Sequence, residues 1–189
     1  MKRWLQVALL GCIAVASAAA AEVPRKAPEF TIKMPKGDPV YLSQYRGKVV
    51  ALEFLFTTCP HCQHASQLMS RLQTEYGPKG FQAVGVAFND MSHMLVPDFV
   101  RDYKVNYPVG YSSREAVYGF LQGDSSQAIH VPQLVYIDRK GVIRHQSLPQ
   151  NDGTSASEGF MRQTIENLLK ETAAAPAKAG AKKAARKAS

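Results

Sequence analysis

Tryptophan occurs once, at Trp4, and cysteine three times, at Cys12, Cys59 and Cys62. Trp4 and Cys12 both fall in a leader-like stretch. Lys2 and Arg3 form a basic start, residues 5–16 an apolar segment, and Ala19-Ala20-Ala21 a small-residue cleavage site before Glu22. Removing residues 1–21 as a signal peptide leaves two cysteines and no tryptophan. Two cysteines exclude a scaffold stapled by several disulfides. In an oxidising compartment, a chain that keeps only one closely spaced pair points to reactivity rather than cross-linking. Residues 5–16 are short for a spanning helix, although an uncleaved anchor has the same pattern. Leu9-Leu10-Gly11-Cys12 loosely matches a bacterial lipoprotein signal, with Leu10 an uncommon residue there. The expected location is therefore periplasmic or secreted.

Acidic and aromatic residues are missing altogether from residues 172–189, which are built from Ala, Lys, Arg, Gly, Pro, Ser and Thr. Such a segment buries too little apolar surface to order itself and is expected to be a disordered tail. It also explains the charge. The net +8 invites a nucleic-acid reading, but seven of those charges are Lys2, Arg3, Lys178, Lys182, Lys183, Arg186 and Lys187. Residues 22–171 carry only +1. No specific nucleic-acid partner is expected, and the tail allows at most weak contact with a membrane surface.

Between leader and tail, the pattern is that of one domain, residues 22–171. Residues 30–32 and 40–42, joined by the turn at 36–39, read as a hairpin ahead of the main fold. Residues 43–46 suit one helical turn, and 49–56 are apolar on both faces, as in a covered central strand. From Pro60 to Tyr76, Ala65, Leu68, Met69, Leu72 and Tyr76 recur at helical spacing until Gly77-Pro78. Residues 81–88 read as a second buried strand, 96–103 as a short helix with Pro97 near its start, and 107–109 as a brief extended piece. Residues 113–121 form a further helix capped by Ser112 or Ser113. Strands at 133–137 and 142–146 flank the turn 138–141. The last helix turns Phe160, Ile165, Leu168 and Leu169 inward. The expected fold class is α/β, with helices around a mixed sheet.

The chemistry is concentrated in Cys59-Pro60-His61-Cys62, between the 49–56 strand and the helix from Pro60. A strand feeding straight into a helix puts the first sulfur at the helix N-terminus, where unpaired N–H groups and the positive dipole end favour thiolate over thiol. Cys59 is then the nucleophile, and Cys62, one turn inside, resolves the mixed disulfide. His61 is placed to tune the thiolate as imidazolium or hydrogen-bond donor, and Pro60 suits the first helical turn.

Residues 27–171 resemble the TlpA-like, redoxin-type (AhpC/TSA-related) branch of thioredoxin-fold thiol-disulfide oxidoreductases. The matching pieces are Ala27-Pro28-Glu29-Phe30, Leu42 with Tyr45-Arg46-Gly47-Lys48-Val49-Val50, the Cys59-Pro60-His61-Cys62 start, residues 80–86, and Val131-Pro132 leading into residues 135–141. The resemblance implies a thioredoxin-like fold and exchange with protein thiols or disulfides, recharged by a redox partner the sequence does not name. It implies no cofactor. Pro132 corresponds to the family's cis-proline, with Val131, Pro132 and Pro60 lining the client groove. Glu53, six residues before Cys59, corresponds to the buried acid of thioredoxins, which relays the proton of the resolving cysteine. The competing reading pairs Glu53 with Lys48 or another basic group near the strand edge.

The resemblance favours reduction of clients. The Pro-His pair, shared with DsbA-type oxidases, points the other way. A different class of function is copper delivery, as in Sco-type chaperones, through Cys59, Cys62 and His130, although those proteins space their cysteines CxxxC. Met91, His93 and Met94 fall in an expected loop, where a copper contact is a weaker alternative. Peroxiredoxin chemistry is not supported, since Leu52 and Phe56 stand where its Pro and Thr would be. Thr58 replaces the family's usual aromatic before the first cysteine, which removes part of the expected docking surface.

Overall fold

A computed structural model of the chain describes residues 22–150 and 153–173. Residues 1–21, where a signal peptide is expected and where Cys12 lies, and residues 174–189 of the expected tail lie outside the described residues. Among those described, no helix is long and apolar enough to cross a membrane.

Among the described residues, eight strands and four α-helices follow in the order β1 (Arg25–Lys26), β2 (Thr31–Ile32), β3 (Val40–Tyr41), β4 (Val49–Leu55), α1 (Pro60–Tyr76), β5 (Phe81–Ala87), α2 (Ser92–Asp102), β6 (Val109–Tyr111), α3 (Arg114–Leu121), β7 (Gln133–Ile137), β8 (Val142–Gln146) and α4 (Glu158–Ala173). Six strands form one sheet in the order β1-β8-β7-β4-β5-β6, while β2 and β3 form the separate N-terminal hairpin. The β4, β5 and β6 strands run parallel, and β7, β8 and β1 add antiparallel pairs, so the sheet is mixed.

Every residue of β4 is buried, as expected of a strand covered on both faces. Alternation sends Val49, Ala51 and Leu55 into one core with α1, α2 and α4. Val50, Leu52 and Phe54 enter the other, with α3 and the hairpin. Phe54 meets Phe30 and Phe120 at ring-centroid distances of 5.5 and 5.4 Å, and those two meet each other at 5.3 Å. This aromatic triad pins the hairpin and α3 to the sheet. The β7–β8 turn closes on Gly141, whose φ of 79° is left-handed and whose missing side chain leaves room for the Arg46 guanidinium.

Several sequence expectations need correction. β1, a segment to which the sequence assigns no element, pairs with β8 at the sheet edge. The extended piece near Tyr107 is the strand Val109–Tyr111. α2 starts at Ser92 rather than at residue 96, so His93 and Met94 are helical and Met91 precedes the first turn. Proline was read as a helix starter, yet Pro97 lies inside α2. The Met91 carbonyl nucleates the earlier turn by accepting from the N–H groups of Met94 (2.9 Å) and Leu95 (3.1 Å). Met161 is fully buried beside Ile165 and Leu168, whereas Phe160 and Leu169 pack at the margin of that core.

Phe54→Ala is expected to lower unfolding free energy by about 3–5 kcal/mol, because a large cavity opens where three rings converge. Urea denaturation of the reduced protein measures this.

Candidate active site

β4 ends at Leu55 and the chain turns at once into α1, with Cys59 as the N-cap in extended conformation and Pro60 in the first turn. The Cys59 carbonyl accepts the first helical bond, from Gln63 N at 3.0 Å. The turn is braced from both sides. The Gln63 carboxamide donates to the Thr57 carbonyl at 3.0 Å, and the Thr57 N–H donates to Asn89 Oδ1 at 2.9 Å. Neither brace was visible in the sequence, because both join residues distant in pattern.

Both cysteines are free thiols; Cys59 is half-buried and Cys62 is buried. Cys59 Sγ lies 3.9 Å from the Val131 carbonyl, and the Val131–Pro132 peptide is cis. The two segments that the sequence tied to the site therefore meet. Pro60 is exposed at the tip beside them. His61, His64 and His130 line a cavity of about 680 Å³ together with Val131 and Pro132. Its far wall comes from the start of α4, where Glu158 binds Arg71 at 3.2 Å.

Glu53 faces α1 and is wholly buried. Its Oε2 accepts from Ser66 Oγ at 2.8 Å and from the Tyr107 hydroxyl at 3.2 Å, while Oε1 is buried without a partner. The Lys48 alternative fails: the Lys48 ammonium bonds Gln82 at 3.1 Å instead. With no cation to offset desolvation, burial raises the Glu53 pKa from 4.5 to about 8 against the two hydrogen bonds that oppose the shift. Burial, and next the Glu53 charge, push the Cys62 thiol well above its ordinary range. Tyr107 is raised for the same two reasons. Ser66 has a signal in the sequence, a hydroxyl inside the apolar stripe of α1. Tyr107 had none, since nothing in its segment tied it to Glu53.

Among the described residues, no three His, Cys, Asp or Glu side chains come together as a metal site. Cys59, Cys62 and His130 do not form such a group. His93 turns its ring toward Tyr111 at 6.0 Å.

The Redoxin family profile matches residues 22–167. The chain belongs to the Redoxin family. Relatives include thiol-disulfide oxidoreductase ResA of Bacillus thuringiensis subsp. konkukian, 30% identical over 88 residues, which are 47% of this chain and 50% of that protein. The chain thus spans about half the length of that relative. ResA of Bacillus thuringiensis strain Al Hakam is 26% identical over 142 residues, 75% of this chain and 78% of the other. Among solved structures, a protein provisionally assigned as thiol:disulfide interchange protein DsbE from Chlorobium tepidum superposes with a TM-score of 0.65 at 25% identity. It covers 77% of this chain and 96% of its own. The Redoxin chain accordingly has the thioredoxin-like α/β fold.

The raised Glu53 pKa makes folding pH-dependent. The native Redoxin chain holds a proton that the unfolded chain releases above pH 4.5, so this stabilisation is full below that pH and is lost as pH rises through about 8. The span amounts to about 5 kcal/mol. In urea unfolding of wild type and Glu53→Gln, the stability difference is expected to shift in favour of the variant between pH 5 and pH 8.5. A flat difference would show an ionised Glu53.

Proposed function

We propose that this Redoxin-family protein is an exported thiol-disulfide oxidoreductase acting through Cys59 and Cys62, with client reduction as the favoured direction. The observation that carries the reading is the contrast between two adjacent thiols. Cys59 caps α1, half-exposed and beside the cavity; Cys62 is fully buried one turn deeper. The names of its relatives agree with this chemistry.

In reduction, the Cys59 thiolate attacks one sulfur of a client disulfide. That S–S bond breaks, a mixed disulfide forms, and the first client sulfur leaves as thiolate. Cys62 then loses its proton and attacks Cys59 Sγ, forming the Cys59–Cys62 disulfide and releasing the second client thiolate. Two electrons and two protons pass from dithiol to client, and the reverse sequence oxidises a client. Cys62 is hard to ionise in its buried position, so resolution needs a nearby base. Glu53 fills that role when ionised, with Oε1 open to take the proton. His61 stands at the helix tip to tune Cys59, while Val131, Pro132 and Pro60 shape the client groove.

Export rests on residues 1–21 as a cleaved signal, with residues 22–171 as the working domain and the basic tail giving weak electrostatic contact with a membrane surface. A separate redox partner recharges the Cys59–Cys62 pair.

Cys62→Ser is expected to accumulate client proteins in mixed disulfides with Cys59, visible on non-reducing gels of the exported fraction, and Cys59→Ser to capture none. Alkylation of the reduced protein followed by mass spectrometry should mark Cys59 well before Cys62. Absence of trapped clients together with an unreactive Cys59 would overturn the reading. For direction, equilibration with glutathione is expected to give a reduction potential nearer thioredoxin's, about −270 mV, than DsbA's, about −120 mV.

A further inference from the structure

Gln133 opens β7 immediately after the Val131–Pro132 peptide and is 2% exposed, an uncommon place for a long amide. Its carboxamide nitrogen donates to two main-chain carbonyls, those of His130 at 2.6 Å and Leu148 at 3.1 Å. Two acceptors at the same end of the group require the NH2 there. Around this clamp the main chain is tied in the same direction. The His130 N–H donates to the Pro149 carbonyl at 2.9 Å, and the Ser147 N–H to the Leu134 carbonyl at 2.9 Å.

The consequence concerns the next peptide group. Drawing the His130 carbonyl inward fixes the plane of the His130–Val131 peptide, because that unit is rigid. The Val131 N–H, on the opposite edge of the plane, is turned away from the clamp. Among the described residues it has no hydrogen-bond partner, and the Val131 carbonyl meets only the Cys59 thiol, at 3.9 Å. Both polar groups of Val131 are left available beside the reacting sulfur.

We propose that Gln133 is a positioning residue for thiol-disulfide exchange, whose carboxamide aims the Val131 backbone at an extended client strand. This rests on the exchange reading above. A buried amide that served only to fill space would be replaceable by a side chain of equal length. One that aims a peptide group must keep its N–H donors.

The test is single-turnover stopped flow with the reduced full-length protein and an extended peptide whose cysteine carries thionitrobenzoate, following release of the coloured thiol. Gln133→Met retains length and volume but loses the donors. It is expected to raise the half-saturating peptide concentration at least fivefold and to change the limiting rate less than twofold. Gln133→Glu, which sets acceptors against two carbonyls, should do the same. An unchanged half-saturation in folded Gln133→Met overturns the inference while leaving exchange intact. Failure of wild type to release thionitrobenzoate takes down the exchange reading itself. If the variants do not fold, the answer comes from nitrogen-15 NMR of Cys62→Ser with and without the peptide attached to Cys59. The Gln133 side-chain amide should be protected from solvent exchange, and the Val131 amide resonance should move on attachment. An unprotected Gln133 or a stationary Val131 overturns the proposal.

Discussion

A carboxyl group without a counter-ion sits in the middle of the sheet, and the rest of the site is arranged around keeping it tolerable. β4 is buried along its whole length, and its alternation sends residue 53 toward α1. Desolvation then makes ionisation costly, and the donors that reach Glu53, Ser66 and Tyr107, offset only part of that cost. A cation would have made Glu53 an ordinary buried salt bridge. Its absence leaves the carboxyl with a pKa raised to about 8, near Cys62, the thiol that loses a proton in the proposed exchange.

The same economy governs the outer thiol. Cys59 needs a fixed position more than it needs many partners, and that position is set by bonds made two to three residues away. Gln63 and Asn89 hold Thr57, and Thr57 holds the turn that presents the sulfur. On the other side, Gln133 holds His130 and Leu148, and the next carbonyl meets the sulfur. Three side-chain amides thus locate the two backbone segments that flank the proposed site of exchange. With Thr58 in place of an aromatic on the rim, the proposed client contact would rest on the groove and the Val131 backbone.

Much of this was legible in the residues. The run 49–56 and the α1 periodicity gave the strand and helix nearly to the residue, since both lie in the core where hydrophobic pattern and structure coincide. The thiol pair and Val131–Pro132 were legible as motifs, and their encounter was implied only by family resemblance. What failed shares one cause: β1 is a two-residue edge strand defined by its pairing with β8, and the start of α2 is set by a carbonyl upstream of a misleading proline. Tyr107, Asn89 and Gln133 matter through single long-range hydrogen bonds, which leave no periodic trace. A buried polar residue in an apolar pattern, such as Ser66, is the one signal of this kind that a sequence does display.

The direction of exchange is linked to these same interactions. A dithiol becomes a strong oxidant in its disulfide form when ionisation stabilises the reduced state, because every thiolate favoured at ambient pH favours reduction of the pair. Cys62 contributes nothing of that kind, since burial and the neighbouring carboxyl keep it a thiol. Any oxidising bias must therefore come from Cys59 alone, through the helix terminus and His61. Under the proposed exchange reading, the Pro-His pair therefore acts on Cys59 alone, and the buried, acid-backed Cys62 adds no second thiolate to it.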